Sequence, residues 1–224
     1  MLASLGNVEP RFAARALAPM LVTVLVGWAV LAGAVDHASI GTFAAMWMAM
    51  AVAMMLPTVL RPMMRAAEGS PLRAWQFVAG FVGIWALVGV PAFALMNAIE
   101  WTTFWIALAW IAAGLYQVTP VMHRFVRSCS GVTYTGSPMR YGVRQGIRCV
   151  ASCSPVMLAA MVTAMALPGF VAPILVLVAL TAFLCWEKQP SASRQVMTAV
   201  GMGMIVLAVT GVMVLGGGGG GHLH

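Results

Sequence analysis

Charge is what this sequence has least of. Only 8% of its 224 residues are Asp, Glu, Lys or Arg, while 62% are hydrophobic. A soluble domain carries about 25% charged and about 45–50% apolar residues, so this chain lacks the means to cover a water-facing surface. Acidic residues number only five, and no pair of them is placed for general acid–base work. There is no Gly-x-x-x-x-Gly-Lys-Ser/Thr loop to cradle a nucleotide's phosphates, and no His-Glu-x-x-His helix for a catalytic zinc. No apolar segment carries a well-centred carboxylate of the kind that relays protons. The chain therefore reads as a non-enzyme. Transporter marks are missing too: neither half repeats the other, and Pro57 and Pro91 are the only hints of broken helices.

What the chain has instead is length of apolar sequence. Seven runs stand out, at roughly 16–35, 43–60, 75–96, 102–119, 149–167, 169–186 and 195–215. Crossing a bilayer takes about 20 mostly apolar residues. In lipid such segments must be helical, because nothing else satisfies their backbone polar groups. The fold class expected is all-α, a polytopic transmembrane helix bundle of about seven spans. The fifth and sixth runs are separated only by Leu167-Pro168-Gly169, read as a tight turn, so six is the alternative count. Residues 1–215 are expected to form a single transmembrane helical domain, followed at 216–224 by a Gly-rich tail ending His222-Leu223-His224. The first run follows Arg11 and Arg15 and lacks a small-x-small cleavage site, so it is expected to be a retained helix.

The few charges are placed unevenly. With the N-terminus in the cytoplasm, all 12 Lys and Arg residues fall on the inner side, and the outer loops hold Asp36 and Glu100. This follows the positive-inside rule and puts the C-terminus outside. Basic residues spread over four membrane-proximal segments point to anionic lipid headgroups as partners, not to nucleic acid. The longest connection, residues 121–148, is expected to be a cytoplasmic functional loop with a Gly/Ser/Thr-rich stretch from Ser128 to Ser137. Arg140, Arg144 and Arg148 recur every fourth residue along its end, as basic side chains do at a membrane interface.

Methionine is the abundant residue, with 19 copies. Met46, Met50 and Met54 lie at i, i+4 and i+8 and so climb one side of a helix. Cys149, Cys153, Met157, Met161 and Met165 form a parallel series in the fifth run, curling slowly around the helix because steps of four over-rotate by about 40°. Thiolate and thioether sulfur are soft donors that favour Cu(I). The same spacing also serves core packing, since methionine fills gaps between helices. Cys129, Cys149, Cys153 and Cys185 all fall toward the cytoplasmic face, with His123 nearby, where thiols stay reduced. Asp36, His37, Glu100, His222 and His224 fall on the outer side, and their imidazole and carboxylate donors suit Cu(II) or zinc.

Three stretches resemble a prokaryotic family described as predicted metal-binding integral membrane proteins. They are Met46-Trp47 through Met54-Met55-Leu56-Pro57, then Gly114-Leu115-Tyr116-Gln117-Val118-Thr119-Pro120 followed by Cys129, and Gly142-x-x-x-Gly146-x-x-Cys149-x-x-x-Cys153 with Met157 and Glu187-Lys188 beyond. The chain departs from the family pattern at Phe125 and Ser152, where cysteines are common, and at Met122, where Lys is frequent. The resemblance implies a multi-pass protein of a prokaryotic cell membrane that binds metal.

Two functions follow as expectations. The first is copper handling, meaning binding, delivery or passage, with Met46, Met50, Met54, Cys149, Cys153 and Met157 as soft ligands and His37, His222 and His224 as outer ones. The second is a non-catalytic accessory subunit of a larger membrane complex, such as a copper-dependent oxidase or oxygenase. Ala79/Gly83 and Ala199/Gly203 have the spacing that lets helices approach closely in such assemblies.

Overall fold

A computed structural model describes residues 40–67, 70–130, 136–167, 171–189 and 193–216. The expected first span, the Leu167-Pro168-Gly169 turn and the histidine tail lie outside the described residues, apart from Leu167. Among the described residues the fold is an all-α helical bundle with no strand. Its helices are α1 (Ile40–Met50), α2 (Leu60–Ala67), α3 (Pro71–Ala98), α4 (Thr103–Val118), α5 (Pro120–Ser130), α6 (Pro138–Ala166), α7 (Val171–Glu187) and α8 (Arg194–Gly216).

Among the described residues, four stretches are long and apolar enough to cross a membrane: Ile40–Ala67, Pro71–Ala98, Pro138–Ala164 and Arg194–Gly211. A fifth is added if Thr103–Val118 and Pro120–Ser128, bent by 71° at their junction, count as one. The sixth expected run is α7, an apolar helix of 17 residues. These features agree with a multi-pass membrane protein.

The structure corrects one expectation. Residues 121–148, expected as a loop, are helical at both ends: α5 takes up the first part and the opening turns of α6 the last. The reason is visible in the basic stripe. Arg140, Arg144 and Arg148 are spaced for one face of a helix, while Tyr141 and Gln145 between them are buried.

The chain divides into two compact units, Met1–Gly89 with Thr133–Gly146, and Val90–Val132 with Ile147–His224. In the first unit the helix begun by α1 widens into a π turn at Ala51–Met55, tightens into a 3₁₀ turn at Pro57–Val59, and continues as α2. Pro57 explains the break, because it has no N–H to offer the helical ladder. Thr58 Oγ1 donates to the Met55 carbonyl at 2.7 Å within this irregular turn. Residues of α3 and the start of α6 meet through glycines. A Cβ added at Gly80 would strike the Met139 carbonyl oxygen, and one added at Gly142 would strike that of Phe77. The Gly142-x-x-x-Gly146 spacing is thus a backbone contact between helices. Phe77, Phe81 and Tyr141 line it, with Phe77 and Phe81 stacked at 6.3 Å and Phe77 tilted against Tyr141 at 5.5 Å.

In the second unit α4 packs along α8, and the closest approach is again glycine on glycine. A Cβ on Gly114 would lie 2.6 Å from the Gly201 carbonyl oxygen. At the small-residue pairs Ala79/Gly83 and Ala199/Gly203, a Cβ added to Gly83 or Gly203 would have no atom of the described residues within 4 Å.

Candidate metal centre

The six sulfur candidates that fall among the described residues are all buried. Met46, Met50 and Met54 are 8%, 2% and 0% exposed, and Cys149, Cys153 and Met157 are 0%, 0% and 2% exposed. The first three belong to the first unit and the last three to the second. His37, His222 and His224 lie outside the described residues. Cys129 is on α5, near its end.

In the first unit the π turn changes what the spacing of four does. An α-helix over-rotates by about 40° at each step of four, whereas a π turn closes i→i+5 bonds and absorbs an additional residue. The wider turn at Ala51–Met55 therefore counters the drift and keeps Met54 facing inward with Met46 and Met50. Trp47 anchors this helix. Its indole Nε1 donates to the Trp85 carbonyl at 2.7 Å, and its ring lies against Gly89, where a Cβ would stand 2.7 Å from Cδ1.

In the second unit Cys149 and Cys153 sit one turn apart on α6, and their thiols are hydrogen-bond neighbours. Ser152 Oγ donates to the Cys149 carbonyl at 3.0 Å and lies 3.3 Å from Cys153 Sγ. Lys188, immediately after α7, donates from Nζ to Cys149 Sγ at 2.8 Å. Met157 continues the same stripe one turn further on. Half-buried Cys185 stands within electrostatic reach of both Lys188 and Cys153.

Beside the thiols is a buried polar pair that the sequence reading did not assign. Glu187 is 1% exposed and Gln117 0% exposed, and Gln117 Nε2 donates to Glu187 Oε1 at 3.0 Å. The neighbouring Tyr116 donates from Oη to the Ala151 carbonyl at 2.6 Å. That carbonyl is available because Pro155, four residues on and inside α6, has no N–H to give it. The signal for these partners was in the Tyr116-Gln117 and Glu187-Lys188 stretches that carry the family resemblance, but their roles depend on contacts across 35 to 70 residues of sequence.

The basic stripe serves a nearby purpose. Arg148 Nη1 donates to the Ser128 carbonyl at 3.1 Å, satisfying one of the carbonyls that the end of α5 leaves without a helical donor. Arg140 and Arg144 are exposed. His123 on α5 is buried, and its Nε2 has no hydrogen-bond partner among the described residues.

Among the described residues no three His, Cys, Asp or Glu side chains gather into a metal-holding group. Structural zinc is held by four such ligands in a tetrahedral set. A buried dithiol followed by a thioether is a sulfur-only set, which suits the soft ion Cu(I).

No curated protein and no solved structure matches this chain. Residues 44–211 match the family described as PpoB2, copper chaperone. This span takes in the methionine helix, both cysteines of the dithiol and the Gln117–Glu187 pair, and on it the chain belongs to the PpoB2 copper chaperone family.

Proposed function

We propose that this chain is a multi-pass membrane protein that carries Cu(I) as cargo on buried sulfur, with Cys149, Cys153 and Met157 as its principal ligands. The observation that carries the reading is the pairing of two fully buried thiols one helical turn apart, with the Lys188 ammonium donating to one of them. Thiolates are the metal-binding form of cysteine, and a cation beside the sulfur stabilises that form. Met157 extends the sulfur along the same helix, while Ser152 holds its hydroxyl between the Cys149 carbonyl and Cys153 Sγ. A chaperone role needs binding and release without bond-making in an organic substrate, which fits a non-catalytic protein.

Met46, Met50 and Met54 are proposed as a second, thioether-only set. Their burial along a helix whose π turn keeps them on one side supports it. Thioethers are uncharged, so this set would hold copper more weakly than the dithiol and pass it on more readily. His37, His222 and His224 are proposed as outer ligands for copper arriving in its oxidised form. The orientation proposed is N-terminus inside, on the asymmetry of the 12 basic residues.

Purified protein, handled under reducing conditions, should bind Cu(I) stoichiometrically. A Cys149→Ser/Cys153→Ser double variant that elutes like the wild type should lose most of it. Wild-type copper content in that variant would refute the dithiol site. Met50→Leu/Met54→Leu tests the second set in the same assay, because Leu and Met exchange in cores at a cost below about 1.5 kcal/mol.

A second reading, that the chain is also an accessory subunit of a larger membrane complex such as a copper-dependent oxidase or oxygenase, is favoured by Gly83 and Gly203. Both lie on helices long enough to span, and neither meets a described residue where a side chain would project. Stoichiometric membrane subunits co-purifying in mild detergent would support it, and a clean monomer would count against it.

A further inference from the structure

Resting on the dithiol reading above, we propose that Lys188 sets the charge of the metal the site accepts, admitting monovalent copper and discriminating against divalent ions such as zinc. Lys188 Nζ lies 2.8 Å from Cys149 Sγ. A metal bonded to that sulfur sits about 2.3 Å from it, and so no farther than about 5 Å from the ammonium. At that range a fixed positive charge acts strongly on a second cation, above all in a site closed to water.

The discrimination follows from the size of the incoming charge. The ammonium repels a divalent ion twice as strongly as a monovalent ion at the same place. The buried Glu187 carboxyl also feels the Lys188 charge, and the comparison holds for Glu187 in its neutral form, bonded to Gln117. With Glu187 neutral, two thiolates, one ammonium and Cu(I) sum to a neutral group, whereas Zn(II) in the same place leaves an excess positive charge in a buried position. Thiolate sulfur alone would not make this distinction, since it binds zinc as well as copper.

The backbone that carries Lys188 is also fixed. The Lys188 N–H donates to the Leu184 carbonyl at 3.4 Å, and the Gln189 N–H donates to the Trp186 carbonyl at 2.9 Å. Lys188 thus prolongs the last turn of α7 instead of hanging from a free loop.

The test uses the full-length protein in detergent, with Cu(I) under anaerobic reducing conditions and Zn(II) titrated separately, each against a competing chromogenic chelator. The readout is the ratio of the two affinities. In Lys188→Met the preference for Cu(I) over Zn(II) should fall by about tenfold or more, while Lys188→Arg should keep it. Lys188→Gln retains a hydrogen-bond donor without the charge and should behave like the Met variant. A ratio in Lys188→Met or Lys188→Gln within about twofold of wild type, with Cu(I) still bound by the wild type, overturns the role of Lys188 and leaves the dithiol site standing. Failure of the wild type to bind Cu(I) at all overturns both.

Discussion

Tyr116 completes a hydrogen bond that Pro155 removes: its hydroxyl donates to the Ala151 carbonyl at 2.6 Å, where an ordinary residue at 155 would have supplied a backbone N–H. The opening in α6 lies between Cys149, Cys153 and Met157, so the helix that carries the sulfur is tied to α4 at its weakest point.

That pairing predicts a coupled pair of mutations. Tyr116→Phe leaves the Ala151 carbonyl without its side-chain donor, at about 1–3 kcal/mol. Pro155→Ala restores the backbone donor and should reduce the cost of Tyr116→Phe. Thermal unfolding of the two single variants and the double variant gives the coupling energy, and strict additivity would refute the compensation.

The glycine contacts predict opposite signs at neighbouring positions. Gly142→Ala puts a methyl group onto the Phe77 carbonyl oxygen and Gly80→Ala puts one onto that of Met139. Each should destabilise by about 1–3 kcal/mol, the usual cost of overpacking. Gly83→Ala meets no described atom and should stabilise by about 0.5–1 kcal/mol, the ordinary advantage of Ala in a helix. Melting temperatures of the three variants in one detergent decide the matter.

Gln117→Leu should cost more than its loss of contact area. It removes the donor to Glu187 Oε1 and leaves a carboxyl that is 1% exposed without that bond. A loss of about 1–3 kcal/mol is expected. Combining it with Glu187→Leu, which removes the other partner, should recover part of the loss, because two apolar groups of similar shape leave nothing unsatisfied. The thermal stability of the double variant relative to Gln117→Leu is the measurement.

Trp47→Phe keeps an aromatic ring but loses the donor to the Trp85 carbonyl. The effect expected is a modest loss, about 0.5–1.5 kcal/mol, with copper content unchanged if Trp47 only anchors the methionine helix. Gly89→Ala pushes directly on the Trp47 ring and should be the more damaging of the two in the same unfolding assay.

Much of the fold was legible because long apolar runs leave a chain few choices. Apolar runs that must satisfy their own backbone become helices, and α1, α3, α4, α6, α7 and α8 each overlap one of the expected runs. What escaped was helix without apolar length. The turns bearing Arg140, Arg144 and Arg148 have no long apolar run to mark them as helix, although Tyr141 and Gln145 bury themselves in between. At the candidate site, Cys149 and Cys153 could be picked out because their spacing is local. Lys188, Gln117 and Tyr116 could not be assigned roles, since what gives them meaning is a contact 35 to 70 residues away. The small-residue pairs show the same limit: sequence displayed the spacing at Ala79/Gly83, while the backbone contact formed at Gly80, one residue along.

The π turn at Ala51–Met55 makes the length of this segment a control on sidedness. Its surplus residue acts like an offset in a screw thread, and everything beyond it inherits that offset. Deleting one residue there would leave a sound helix yet turn α2 by about 100°. Arg61 and Arg65, now exposed, and Met63 and Ala66, now buried, would trade surroundings. A one-residue deletion would therefore act as a change of face for a whole segment, without altering any of the residues that it rotates.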